Sequence, residues 1–226
     1  MNFDHLTVIG TSKPMLVMPS NNSGMEFGRL AGMFPNRIGW LLSPDGWRTP
    51  PEWLPYALDN GAFSAFIHRT PWDEAAFLKM LGKAGATHPK PLWVVVPDVV
   101  QDANATLALW RAWAPEIRNR LPRVPLAFAV QDGMFPSDVP HDADVVFVGG
   151  TTEWKWRTLP RWTSAFGKVH VGRANSERML WMAHDCGAAS CDGTGWARGG
   201  PERLRGLIRY LERSDGERRQ LVLELP

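Results

Sequence analysis

Cysteine is nearly absent: Cys186 and Cys191 are the only two among 226 residues. Two thiols cannot build a disulfide framework, and alone they cannot complete a structural zinc site. Uncharged apolar runs are short, none approaching the roughly eighteen residues a membrane-spanning helix needs. The opening segment, with Asp4, His5 and then Pro14, lacks the basic-then-apolar layout of a signal peptide. Together these features make a reducing cytoplasm the expected compartment, a host's if the chain is phage-encoded. Charge imbalance is also slight. A net charge of +2 excludes a strongly basic nucleic-acid wrapper. The distribution is uneven, however, because from Thr151 onward 13 Lys/Arg face 9 Asp/Glu. That C-terminal excess fits either a polyanion-facing surface or a set of solvated helix faces.

Apolar residues at 44% and charged residues at 21% are ordinary globular values and exclude a disordered or coiled-coil chain. No linker or low-complexity tract divides the sequence, so 1–226 reads as a single domain. Eight short apolar runs recur: 15–18, 38–42, 56–58, 92–96, 126–130, 145–148, 169–171 and 188–191. Several are continuous and β-branched, as parallel strands buried on both faces require. Helical patterns lie between them. Asp73, Asp102 and Ser176 are placed as N-caps, with Pro115 expected to kink or restart the helix after Asp102. A weaker, glycine-rich helix is expected over 24–33. Gly187 is positioned to end the helix begun at Ser176, and Gly200-Pro201 opens a last helix over about 200–213, followed by a short tail, 214–226. Eight strands alternating with helices predict an α/β fold, a compact (β/α)8 TIM-like barrel. An open doubly wound sheet is the alternative. The absence of a G-x-G-x-x-G or Walker loop after the first run argues against it.

In such a barrel, chemistry is carried by the loops after the strands. Six successive runs end in polar residues or paired glycines: Asp59-Asn60-Gly61, Pro97-Asp98, Gln131-Asp132-Gly133, Gly149-Gly150, Gly172-Arg173-Ala174-Asn175 and Asp192-Gly193. Turn or cap roles account well for Asp102 and Asn175 taken singly. As a group, Asp59, Asp98 and Asp192 bring three carboxylates to one rim, where mutual repulsion raises at least one pKa. A carboxylate pair with separated pKa values supplies a nucleophile and a general acid. His170 with Asp59 and Asp192 also has the donor types for a divalent ion. The sequence lacks H-x-H and H-E-x-x-H spacings, so no metal site is expected.

The ordered series L-D-N-G-A-F, P-D-V, A-V-Q-D-G, V-G-G, V-G-R-A-N-S and C-D-G-T-G-W-A-R, over about 58–200, resembles the tRNA-guanine transglycosylase superfamily. It is most similar to the shorter DpdA-like branch that places 7-deazaguanines in DNA. The resemblance implies a pentosyl-transferring enzyme with no cofactor, whose partners are DNA (tRNA less so) and a preQ0-like 7-deazaguanine base. It casts Asp192 as the nucleophile and Asp59 as the acid handling the base's proton. Phe63 becomes the stacking aromatic, Asp98 and Gln131 readers of the guanine edge, and Gly149-Gly150 backbone contacts to the base. Departures are Ala62 for the second glycine of the family's D-S-G-G-F/Y, Ser64 for its following glutamine, Asp132 for a glycine, and Gly193-Thr194 after the nucleophile. The family's C-terminal C-x-C-x-x-C…H zinc site is missing, which points away from anticodon-loop exchange.

The residue chemistry fits independently. A carboxylate at an anomeric carbon stabilises an oxocarbenium-like transition state and forms a covalent sugar intermediate. Lys155, Arg157, Arg161, Arg173 and Arg198 are candidate phosphate contacts. Trp154, Trp156, Trp162 and Trp196 have the shape to stack on bases or to pack between helices and barrel. Cys191 is expected in strand packing, and Phe63 in either the site or the core. Alternatives are a DNA nucleobase glycosylase on the same scaffold, a metal-dependent barrel enzyme acting on a small phosphorylated substrate, and a silent nucleic-acid-binding module.

Overall fold

The computed structural model describes residues 14–21 and 24–223, with side chains through Ser214. Asp4 and His5, and the end of the expected tail at 224–226, lie outside the described residues.

All eight expected strands form: β1 (Leu16–Pro19), β2 (Trp40–Leu42), β3 (Tyr56–Leu58), β4 (Val94–Val95), β5 (Leu126–Val130), β6 (Val145–Val148), β7 (Val169–Val171) and β8 (Ser190–Gly193). Every pairing is parallel, in the order β1-β8-β7-β6-β5-β4-β3-β2. Parallel bridges from Val17 to Ile38 and from Ser20 to Leu41 bring β1 against β2 and close the sheet. Across that seam the Val17 N–H donates to the Arg37 carbonyl at 2.9 Å, and the Gly39 N–H to the Val17 carbonyl at 3.0 Å. The fold is a compact (β/α)8 TIM-like barrel.

Eight helices are present among the described residues: α1 (Met25–Met33), α2 (Ala62–His68), α3 (Glu74–Ala86), α4 (Ala103–Arg120), α5 (Thr152–Ala165), α6 (Glu177–Asp185), α7 (Gly195–Arg198) and α8 (Gly200–Leu223). The three caps act as their residue types dictate. Asp73, Asp102 and Ser176 accept from the N–H groups of Ala76, Ala105 and Met179, each satisfying an otherwise orphaned donor. Two boundaries differ from expectation. Pro115 does not divide α4, which runs unbroken because Trp110, Ala114 and Ile117 bury one stripe against the barrel. The last helix continues past 213 to Leu223. Ser214 is buried rather than the start of a tail, receiving a hydrogen bond from Arg37 Nη2 at 2.6 Å and donating to the Tyr210 carbonyl.

Strand alternation separates two cores. Outward-facing Val17, Leu58, Phe128, Val148 and Val171 pack against Phe77, Trp110, Trp162 and Leu180 of the helices. Inward-facing Met18, Leu41, Ala57, Trp93, Val95, Ala127, Ala129 and Val145, with Phe147, fill the barrel. Large Trp93 and Phe147 share this interior with Ala57, Ala127 and Ala129, Phe147 lying beside Ala129 on the paired strand, the volume matching a close-packed interior demands. His170 packs against both of those rings, 4.8 Å from Trp93 and 4.7 Å from Phe147, which also touch each other edge to face. Two residues farther along these strands, the same parity delivers Ser20, Asp59, Gln131, Gly149, Gly172 and Asp192 to the barrel's C-terminal mouth.

Candidate active site

Those residues line a cavity of about 430 Å³, within the usual range for small-molecule sites. Asp59, Phe63, Asp98, Gln131, Gly149, Gly150, Arg173, Asp192 and Arg198, nine of the ten expected site residues, converge on it. Lys155 does not.

Asp192 sits at the end of β8 and is almost fully buried. Its Oδ1 accepts from the Arg173 N–H at 3.0 Å and lies 3.1 Å from His170 Nε2, while Oδ2 accepts from the Ser20 hydroxyl at 3.0 Å. Behind it, His170 Nδ1 is 2.8 Å from the Ser190 hydroxyl, which fixes the ring's plane. Burial alone pushes the Asp192 carboxyl up. Hydrogen bonds from His170, Arg173 and Ser20, with the His170 charge, outweigh it and hold the group below the ordinary carboxylate range. Three donors leave one lone pair, on Oδ2, for an incoming electrophile.

Asp59 behaves oppositely. Burial, then repulsion from Asp192 and from Asp98, pushes its carboxyl up to about 7, against weaker lowering by the Asn60 and Gly61 N–H groups. Asp98 rises to about 6, through burial that two amide donors only partly offset. Those donors are Asn60 Nδ2 at 2.7 Å and Gln131 Nε2 at 2.8 Å. One cavity therefore holds an anionic carboxylate beside one that keeps its proton near neutrality, the arrangement a nucleophile and a general acid require.

Asp98 and Gln131, expected to read a base independently, are bonded to each other. The Gln131 Oε1 also accepts from the Gln101 N–H at 3.0 Å. Any ligand meets this prearranged pair through its remaining hydrogen-bonding positions. Asn60, which the sequence did not mark as a site residue, organises the pair's other side: it bonds Asp98 and the Val96 carbonyl, and its Oδ1 caps the Ala62 N–H. Ser20 is likewise a site-forming residue that local sequence did not reveal, and His170, weighed in the sequence only as a metal donor, serves instead as a partner of Asp192. A signal existed for Ser20, because its inward parity follows from Met18. Gly149 and Gly150 lie at the cavity wall, but the Gly149 N–H already donates to Val130 and the Gly150 carbonyl accepts from Arg173. Asp132 turns aside to bond the Thr151 N–H and hydroxyl at the start of α5.

Phe63, on α2, is 36% exposed and belongs to the mouth, not the core. The Arg173 guanidinium lies 4.3 Å from its ring centroid, a cation–π contact that backs the ring. Arg198 is exposed at the rim. Lys155 is a correction: expected among phosphate contacts, it is 1% exposed, and its Nζ donates to the Gly172 carbonyl inside the wall. Long side chains on a helix cover neighbouring turns, and here α5 aims Lys155 at the barrel. Arg157 stays exposed beside Glu153, and Arg161 lies over Phe135. Trp154, Trp162 and Trp196 are buried packing residues, and Trp156 is half-buried. Cys191 is fully buried in β8. Asn175 holds α7 by accepting from the Gly195 N–H at 2.8 Å. As to a metal, His170 points into the barrel with both nitrogens engaged. Among the described residues no three His, Cys, Asp or Glu side chains are grouped to hold an ion. Among the same residues no helix is long and apolar enough to cross a membrane.

Fold and site together define a (β/α)8 barrel with a three-carboxylate cavity at its C-terminal face. No protein-family model matches the chain, and no curated protein matches it in sequence.

Proposed function

We propose that the protein is a guanine transglycosylase acting on DNA, exchanging a guanine for a 7-deazaguanine through a covalent Asp192–deoxyribose intermediate. The observation that carries this reading is the pairing, in one base-sized cavity, of an Asp192 held ionised by three donors with an Asp59 that keeps its proton to about pH 7. The order of strand-end motifs that resembles the transglycosylase superfamily supports the same assignment.

In this mechanism Asp192 Oδ2 attacks C1′ of an extruded deoxyguanosine. The glycosidic bond breaks, its electron pair leaves with the base, and Asp59 supplies the proton that makes guanine a neutral leaving group. The Asp59 carboxylate then takes the proton from the ring nitrogen of the incoming 7-deazaguanine. That nitrogen attacks C1′ and releases Asp192, restoring both acids. Asp98 accepts from the donor edge of the purine, the Gln131 amide completes that edge, and Phe63 stacks on the ring. Stacking contributes about 1–3 kcal/mol toward the cost of extruding the base.

Parallel incubations of a guanine-containing oligodeoxynucleotide and of tRNA with labelled 7-cyano-7-deazaguanine test the proposal. Incorporated label and released guanine in equal amounts are expected. Abasic sites without label assign a glycosylase instead, label in tRNA alone shifts the substrate to RNA, and no change in any nucleic acid rejects the reading.

A further inference from the structure

Lys155 is the buried cation that the mechanism above leaves without a part. It stands in the first turn of α5, its amine is inside the wall, and its hydrogen bond goes to the Gly172 carbonyl. That carbonyl and the Arg173 N–H belong to one peptide unit. The N–H end of the same unit donates to Asp192 Oδ1 at 3.0 Å. A single peptide plane thus joins Lys155 on the outer side of the wall to Asp192 on the inner side.

The plane is held against its own preference. Arg173 has φ +62°, the left-handed region that non-glycine residues avoid. Rotating the peptide changes ψ of residue 172 and φ of residue 173 together. Relaxation of Arg173 to negative φ therefore swings its N–H away from Asp192. Position 172 is glycine for a separate reason: a Cβ there would lie 2.9 Å from the Phe147 ring. Two contacts oppose the relaxation from the two ends, Lys155 on the carbonyl and the Arg173 guanidinium anchored to the Gly150 carbonyl and the Phe63 face. Backbone strain persists only where surrounding contacts over-determine it, and it gathers at functional sites.

We propose that Lys155 is a positioning residue for the nucleophile, holding the Gly172–Arg173 peptide so that its N–H stays on Asp192. The inference rests on the assignment of Asp192 as nucleophile for its catalytic meaning, though the coupling itself does not. An amine donates whether or not it is protonated, so the role persists on both sides of the Lys155 titration, which burial lowers to about 7. The titratable and charged groups facing Asp192 are His170 and Arg173 from β7 and its loop, Asp59 from the β3 loop, and Lys155 from α5.

The test is Lys155→Met, which keeps the apolar stem and removes the donor. NMR on the intact chain reads the Arg173 amide and the Asp192 side-chain carboxyl, with no nucleic acid present. Expected are fast solvent exchange of the Arg173 amide and an Asp192 titration raised by about one pH unit, the size of one lost hydrogen bond to the charged form. With substrate, kcat falls about tenfold with KM within about twofold, and the acid limb of the pH profile moves up with Asp192. A raised Asp192 titration with the Arg173 amide still protected is a bare charge effect and overturns the proposal, as does an unmoved titration. If Lys155→Met does not fold, the wild type decides. A slowly exchanging Arg173 amide and a scalar coupling from Lys155 Nζ to the Gly172 carbonyl carbon are expected, and the absence of either overturns it. Failure of base exchange with these NMR results intact rejects only the enzymatic reading.

Discussion

Replacing Asp59 by asparagine should make the protein more stable while disabling it, and the gain should depend on pH in a defined way. In the unfolded chain this carboxyl titrates at 3.8, and in the native cavity at about 7. The native state therefore binds the proton more tightly. Ionising Asp59 costs stability progressively as pH rises from about 4 to about 7, and the full cost remains above 7. Three units correspond to at most about 4 kcal/mol at about 1.4 kcal/mol per unit. Asp59 is only half-buried at an open mouth, so solvent screening reduces this to about 2 kcal/mol. Asparagine retains a carbonyl oxygen for the Asn60 and Gly61 N–H groups and carries no charge to repel Asp192 or Asp98. Lys155 titrates in the same range, but it is present in both proteins and cancels from the comparison. Urea or thermal unfolding of wild type and Asp59→Asn at pH 4.5, 6 and 8 is the assay. The variant's advantage should grow from pH 4.5 to 8, reaching about 2 kcal/mol, or roughly 4–8 °C in Tm for a chain of this length. A difference that stays constant with pH, or a less stable variant at pH 8, refutes the account of Asp59 as a desolvated acid kept for function.

Three further perturbations address the rest of the cavity. Asp192→Asn should abolish turnover, by about a thousandfold or more, while leaving oligonucleotide binding intact in a mobility assay; undiminished product formation removes Asp192 from the chemistry. Gln131→Ala deletes the amide that donates to Asp98 at 2.8 Å, so the Asp98 titration should climb about one unit above its value of about 6, read by carboxyl NMR. An unmoved Asp98 means that the pair is not coupled. Gly172→Ala places a methyl 2.9 Å from the Phe147 ring, which stacks on His170. A loss of about 1–3 kcal/mol in urea unfolding is expected, together with lowered activity; full wild-type stability would show that the wall yields at that point.

Much of this site was readable one strand at a time. Once Met18, Ala57, Ala129, Phe147 and His170 are known to face inward, period-two alternation sends Ser20, Asp59, Gln131, Gly149 and Gly172 to the same mouth. Asp98 breaks that parity, lying one residue beyond Pro97, and reaches the cavity through its loop. The unbroken α4 and the burial of Ser214 within α8 were not readable, because both depend on what a helix face is packed against. Helix α5 was hidden for a related reason. Its buried stripe of Trp154, Lys155, Thr158, Leu159 and Trp162 contains a lysine, which in sequence marks a solvent face.

The sequence by itself determined the eight strands, the caps at Asp73, Asp102 and Ser176, and the collection of acids at the strand ends. Each of these follows from interactions within a few residues along the chain: pleat alternation, orphaned N–H groups, the conformations that Gly and Pro allow. Only the tertiary structure decided the ionisation of the three aspartates, the mutual engagement of Asp98, Asn60 and Gln131, and the inward course of Lys155. Desolvation, charge repulsion and hydrogen-bond geometry are sums over every wall of a cavity, and those walls come from residues as far apart as Ser20 and Asp192. A chain read in order carries no record of which of them meet.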